Sequence, residues 1–190
     1  IVVVKQQDIA DLFDLIRAYG IPKVRSVVAG GNTRQESVWI GVEAVSEKAQ
    51  YIAVHDGARP FVSQQVIADA VLDGIHYGAA TASVPVVDTI KMVDENGKIT
   101  STPDRSRMFA IQTPQVFQIE HYRQAAEAAQ KDGRDYTDDC QMLEAIGLPV
   151  YLSRGDYANI KITTPADLIA AQAMAQEEEE NDGLENRSWL

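Results

Sequence analysis

Tyr51-Ile52-Ala53-Val54-His55-Asp56-Gly57-Ala58-Arg59-Pro60-Phe61 sets a short apolar run against a polar, glycine-containing turn. Such a run reads as a buried strand of a parallel sheet. Ligands of open α/β sheets bind just beyond the carboxyl ends of these strands. Asp56 and Arg59 therefore fall where chemistry is expected, and Gly57 and Ala58 leave room for backbone to approach a ligand. The same residues also suit a plain strand-to-helix turn in which Asp56 and Arg59 pair with each other.

Working outward, strand and helix patterns alternate. Val2 to Val4 is apolar, and the chain opens at Ile1 as though inside a strand, which predicts that further residues precede it. Ile9, Leu12, Phe13 and Ile16 mark an amphipathic helix ending near Gly20. Val24 to Ala29 is a strand candidate, broken by Gly30-Gly31-Asn32-Thr33-Arg34. Val38, Gly41, Val42 and Val45 form the next helical stripe. Ser63 is placed to cap a helix carrying Val66, Ile67, Ala70 and Val71, and Thr81 to Val86 is a further strand.

From about 87 to 110 the character changes. Asp94-Glu95-Asn96-Gly97-Lys98 is a turn signal between Thr89–Val93 and Ile99–Thr102, which predicts a β-hairpin arm. An arm with so little apolar surface of its own needs another surface to lie against. Ile119 to Lys131 reads as helix, and Thr137 is placed to cap another carrying Cys140, Leu143 and Ile146. Val150–Leu152 and Ile160–Ile162 read as strands. Thr164-Pro165-Ala166-Asp167 is a helix start with cap, proline and carboxylate in order. The chain thus divides into one domain over 1–176 and an acidic, solvated tail over 177–190. The expected architecture is α/β, a mostly parallel twisted sheet with helices on both faces and a protruding hairpin.

The 190 residues, 45% hydrophobic, suffice for one such domain with a sizeable core. No apolar stretch approaches the roughly 20 residues of a membrane span. The single cysteine, Cys140, excludes an internal disulfide framework and suits a reducing cytoplasm. A net charge of −11 argues against nucleic-acid or anionic-membrane partners. A phosphate substrate would then need cations concentrated locally. P-loop, dinucleotide-binding and nucleophile-elbow motifs are missing from the sequence, and His55, His76 and His121 lack metal-ligand spacing.

Four polar clusters fall at strand ends or loops. They are Gly30-Gly31-Asn32 with Arg34 and Ser37; Asp56 with Arg59; Asp88-Thr89, Arg105 and Arg107 beside Gln112-Thr113-Pro114-Gln115; and Asn159 with Lys161. An ammonium between Ile160 and Ile162 needs an anion or a strand end. Arg59, Arg105 and Lys161 supply the cations a polyanionic substrate requires. Asp56 alone suits a divalent metal that keeps most of its waters and binds substrate phosphates.

In order, the segments Gly30–Val38, Val54–Phe61, Pro85–Lys91, Gln112–Phe117, Thr137–Asp139 and Asn159–Thr163 resemble the 2-C-methyl-D-erythritol 4-phosphate cytidylyltransferase family of isoprenoid biosynthesis. The resemblance implies a Rossmann-like nucleotidyltransferase fold and transfer of a cytidylyl group from CTP to a sugar-alcohol phosphate, with Mg²⁺. It implies that Gly31, Asn32 and Ser37 meet the nucleotide, with Asp56 and Ala58 beside them and Asp56 at the metal. Arg59, Thr113 and Lys161 would form the acceptor site, with Lys161, Asp56 and Arg59 nearest the chemistry. Thr89 and Arg105 would reach a partner's site across a homodimer formed through the arm. The family also carries a glycine-rich triphosphate-binding segment ahead of the position of Ile1, and often an acidic residue where Asn32 stands. Ribitol-5-phosphate cytidylyltransferases share most of these motifs and differ in the acceptor. A non-catalytic dimer that kept the fold is the reading from another class.

Overall fold

The computed structural model describes residues 1–185. Its strands are β1 (Val2–Val4), β2 (Val27–Ala29), β3 (Tyr51–Val54), β4 (Ala79–Pro85), β5 (Met92–Val93), β6 (Ile99–Ser101), β7 (Phe109–Gln118) and β8 (Tyr151–Arg154). Its helices are α1 (Ile9–Ala18), α2 (Arg34–Glu43), α3 (Gln64–Tyr77), α4 (Ile119–Asp132), α5 (Asp139–Ala145) and α6 (Pro165–Glu185). The acidic stretch from Glu177 is therefore helical as far as Glu185, and the end of the expected tail, 186–190, lies outside the described residues.

The main sheet has the order β3-β7-β4-β8. β4 and β8 pair in parallel, and β7 runs antiparallel to both β3 and β4. Three of its four strands thus share one direction, as expected, with one reversed strand wedged between them. The sequence pattern over this strand predicts only arm and loop. The reason is Pro114, which a central strand does not usually admit because it cannot donate to the ladder. Register explains its presence: Thr81 faces Gln115 while Ser83 faces Ile111, so Gln112, Thr113 and Pro114 bulge opposite Ala82. The missing N–H falls where the ladder is already interrupted.

Helices cover both faces. α3 packs across β7, β4 and β8, and Gly74 lies so close to Val116 that a Cβ there would collide with its side chain. The adjacent residue Phe117 points the other way, 5.6 Å from Tyr122 of α4. On that face Val42, Ile52, Tyr122, Ala126, Cys140, Met142 and Leu143 form the main core. Cys140 is a packing residue, and burial pushes its thiol well above the usual range.

β1 and β2 form a separate parallel pair. A cleft of ≈ 770 Å³ runs between them and β3, lined by Val2, Val3, Val4, Val42, Ile52 and Val54 and ending at Gly31 and Asp56. The arm is present as β5 and β6, joined through Gly97 at φ +80°. Val87, Met92, Val93 and Ile99 are exposed on it.

Two sequence assignments change. Ile160–Ile162 is not a strand. And α5 is capped by Asp138, whose carboxylate accepts from Gln141 N–H at 3.0 Å, while Thr137 bonds to the Gln141 side chain. Asp is as good an N-cap as Thr, so the two candidates were indistinguishable by type.

The start of α6 follows its sequence signature. Asp167 Oδ2 accepts from the Thr163 and Thr164 amides at 2.9 and 2.8 Å, and Asp167 N–H donates to Thr164 Oγ1. These bonds, with the Thr163 amide first, pull the Asp167 carboxyl down to about 2. A depressed carboxyl contributes stability above its unfolded value of about 3.9 and loses it as pH falls through the folded one. Hydrogen exchange at the Thr163 and Thr164 amides should accelerate, relative to the intrinsic rate, between about 4 and about 2. Asp167→Asn should remove that step, and an unchanged step would refute the assignment.

Candidate active site

β3 ends at Val54, and the next residues are held rather than free. Asp56 N–H donates to Thr113 Oγ1 at 3.0 Å. Thr113 Oγ1 lies 3.1 Å from His55 Nδ1, and His55 Nε2 lies 3.1 Å from the Arg59 carbonyl. A carbonyl only accepts, so Nε2 carries a proton and donates to the Arg59 carbonyl, while Nδ1 is in hydrogen-bond contact with the threonine hydroxyl. Thr113, expected to hold the acceptor, thus already orients the Asp56 backbone. His55 belongs to the site as a brace, a role that its lack of metal spacing did not reveal.

Three cations surround the Asp56 carboxylate. Lys161 Nζ is 2.8 Å from Oδ2, Arg34 Nε is 3.7 Å from Oδ1 and Arg59 Nε is 3.9 Å from Oδ2. Burial alone would raise the Asp56 carboxyl. The Lys161 hydrogen bond and the charges of Lys161, Arg34 and Arg59 outweigh it and hold the group below the usual range. Lys161 has found the anion its apolar neighbours demanded. It does so from a loop, because Ile162 N–H bonds to the Ala58 carbonyl instead of a strand ladder.

Arg59 is not merely the pairing partner of Asp56. Its Nη1 donates to the Asn159 carbonyl at 2.6 Å, while its buried Nε has no hydrogen-bond partner. Burial lowers its guanidinium somewhat, against the pull of Asp56, and it remains charged. Asn159, fully buried, donates to Gln112 Oε1 and the Thr113 carbonyl. Gln112 in turn donates to the Asp156 carbonyl at 2.8 Å. The bulge of β7 and the 155–161 loop are therefore tied together behind the cations.

Across the cluster, Gly31 N–H donates to Ser37 Oγ and Asn32 N–H to the Glu36 carboxylate. Thr33 Oγ1 accepts from Glu36 N–H at 3.1 Å. This is a capping arrangement, so the N-terminus of α2 is already answered by Glu36. The Thr33-x-x-Glu36 spacing carried that signal in the sequence. A Cβ on Gly31 would meet Glu36 Cβ at 2.5 Å, so only glycine lets the loop lie this close.

Arg34 and Asp56 line both the β1–β3 cleft and a second, polar cavity of ≈ 430 Å³. Gly31 and Ser37 lie on the first side; Arg59, Thr113 and Lys161 lie on the second, with Gln115, Thr137, Asp138 and Gln141. Thr89 and Arg105 are not brought to this cluster. Both are exposed on the arm, and Arg105 Nη1 donates to the Val87 carbonyl at 2.6 Å. Among the described residues, no group of three or more His, Cys, Asp or Glu is placed to hold a metal, and no helix is long and apolar enough to cross a membrane.

Three cations around one carboxylate, at the junction of an apolar cleft and a polar cavity, can neutralise a phosphorylated ligand. The sequence profile of the 2-C-methyl-D-erythritol 4-phosphate cytidylyltransferases matches residues 1–177. The enzyme of that name from Alkaliphilus metalliredigens is 42% identical over 171 residues, covering 90% of this chain and 71% of the relative. That from Desulforamulus reducens is 44% identical over 151 residues, covering 80% of this chain and 64% of the relative. The 4-diphosphocytidyl-2C-methyl-D-erythritol synthase of Anaerococcus prevotii superposes with TM-score 0.85 at 29% identity, covering 92% of this chain and 77% of that one. The Thermus thermophilus cytidylyltransferase superposes with TM-score 0.72 at 38% identity, covering 82% and 76%. The Rossmann-like nucleotidyltransferase fold implied by the sequence is the fold of these neighbours. By profile, identity and fold together, this chain belongs to the 2-C-methyl-D-erythritol 4-phosphate cytidylyltransferase (IspD) family.

Proposed function

We propose that the protein transfers CMP from CTP to 2-C-methyl-D-erythritol 4-phosphate, releasing pyrophosphate, in the synthesis of isoprenoid precursors. The observation that carries this reading is the Asp56 carboxylate, shared by Lys161, Arg34 and Arg59 at the junction of two cavities. CTP enters from the Gly31–Ser37 side, beside Asn32 and Ala58. The acceptor phosphate enters from the Arg59–Thr113–Lys161 side. Its oxygen attacks the α-phosphorus in line, and the P–O bond to the pyrophosphate leaving group breaks. Lys161 and Arg59 neutralise the charge gathered there, a role worth about 10²–10³ in rate for one well-placed donor. Mg²⁺ accepts one carboxylate plus substrate phosphates as ligands; here Asp56 would exchange its 2.8 Å contact with Lys161 for the metal, and Lys161 would turn to the phosphates. When bound on Asp56 it would supply further neutralisation of the phosphates. A single cysteine, buried and without a disulfide partner, suits a cytoplasmic setting.

Pyrophosphate release by the full-length protein with CTP and each acceptor tests the proposal. Activity with ribitol 5-phosphate alone would reassign the acceptor, and none with either would favour the non-catalytic reading.

The exposed arm supports a homodimer in which Thr89 and Arg105 complete the partner's acceptor site. Arg105→Ala should then raise the acceptor KM or lower turnover while CTP binding stays near wild type. Mixing it with Lys161→Ala should recover part of the activity, because one hybrid site keeps both residues. Absence of recovery after subunit exchange would count against a shared site.

A further inference from the structure

Asp139 is a buried carboxylate with no part in the reaction described above. Its side chain is 1% exposed. Tyr122 Oη donates to its Oδ1 at 3.1 Å, and Arg34 Nη2 donates to its Oδ2 at 2.7 Å. Burying a charge is costly, and an apolar side chain of similar volume would commonly serve stability as well or better. The charge therefore calls for a reason beyond packing.

The other end of the same guanidinium supplies one. Arg34 Nε faces Asp56 Oδ1 at 3.7 Å while Lys161 holds Oδ2 at 2.8 Å. Each oxygen of Asp56 thus faces a different cation, which fixes the rotation of its carboxylate plane. Arg34 can only serve as that stop if its own position is set. Its side chain is 36% exposed and would otherwise sample many rotamers. Asp139 and Tyr122 hold the planar fork from behind, and a rigid fork loses little freedom per bond formed. Four elements meet in this chain of contacts: α4, α5, α2 and the end of β3.

We propose that Asp139, with Tyr122, is a positioning pair that anchors Arg34 so that Arg34 fixes the Asp56 carboxylate at the junction of the two cavities. The proposal rests on the cytidylyl-transfer reading for its catalytic consequence. Burial would strip Asp139 of its charge more readily, and the Arg34 contact opposes this, so the two groups depend on each other. A misplacement of about 1 Å near reacting groups costs on the order of 10²-fold in rate.

Asp139→Asn keeps the shape and removes the anchor charge. In the full-length protein it is expected to lower kcat roughly 10- to 100-fold while KM for CTP and acceptor each stay within about threefold. Arg34→Lys keeps the charge and loses the fork, and should reproduce that split. Being part-exposed, it also serves if Asp139→Asn fails to fold. Tyr122→Phe should give a smaller loss of the same kind. A folded Asp139→Asn or Arg34→Lys variant with kcat within about threefold of wild type, or a loss confined to KM, overturns the proposal. A second readout is independent of catalysis. The Arg34 Nε–H resonance, identified by its loss in Arg34→Lys, should be sharp in wild type and broadened by Tyr122→Phe. An unbroadened signal overturns the anchor. A wild-type protein that is inactive with every acceptor but keeps the sharp, Tyr122-dependent signal would refute the function and leave the anchor standing.

Discussion

Asp56→Asn is expected to reduce turnover by about two to three orders of magnitude, the range seen when a preorganised charge contact is lost. The side chain is 17% exposed and is the carboxylate on which Lys161, Arg34 and Arg59 converge. An amide of the same shape leaves three cations facing each other, and its nitrogen cannot accept from the second of them. Lys161 would relax toward solvent, where its side chain is already 42% exposed. The substitution should also lower the melting temperature, with a diagnostic pH dependence. The Asp56 carboxyl is held below its unfolded value, so its stabilisation is present above about pH 4 and is lost as pH falls through the folded value. The melting temperatures of wild type and variant should therefore converge as the solution is acidified. Turnover near wild type in the Asn variant, with CTP and acceptor saturating, would remove Asp56 from the centre of the mechanism.

Gly155→Ala is expected to have the largest structural effect of any conservative change in the site. A Cβ there would lie 2.5 Å from Gln112 Oε1, 2.7 Å from the Ser83 carbonyl oxygen and 2.9 Å from Ser83 N. Two of these are backbone atoms of β4, which cannot swing aside. The Gly155 amide is also bonded to the Ser83 carbonyl at 2.8 Å, so separating the chains breaks that bond. Overpacking of this kind costs about 1–3 kcal/mol. Displacing Gln112 would remove one of the two side-chain bonds that seat Asn159, whose carbonyl holds Arg59, leaving only the bond to the Thr113 carbonyl. The variant should thus show both a lower urea midpoint and a raised acceptor KM, with CTP binding less affected. A midpoint equal to that of wild type would mean that the loop yields without disturbing β4.

The elements most legible in the sequence were those with local chemistry. Ser63 accepts from Val66 N–H and Thr164 opens α6, as their spacing required. The demand of Lys161 for an anion is legible from its two isoleucine neighbours, although the same apolar pattern predicts a strand where the chain forms a loop. β7 was not legible, because polar residues and Pro114 in its centre match no strand period. Only the bulge opposite Ala82 reconciles them. The Arg34–Asp139 contact spans 105 positions, and no local pattern could announce it. Both residues sat in segments singled out by resemblance, yet their meeting depends on how α5 docks against α2.

The reversed strand has a mechanical consequence. β7 is one continuous element from exposed Phe109 at the base of the arm to buried Phe117 in the core. Thr113 lies four residues from Phe109 along it, about 13 Å at strand rise. Residues 115–117 are bonded on both flanks and 109–111 to β4, while 112–114 belong to neither ladder. The strand is thus two paired segments, one under the arm and one in the core, joined at the bulge. A force on the arm is therefore taken up at that joint, at Gln112 and Thr113, the residues that seat Asn159 and Asp56.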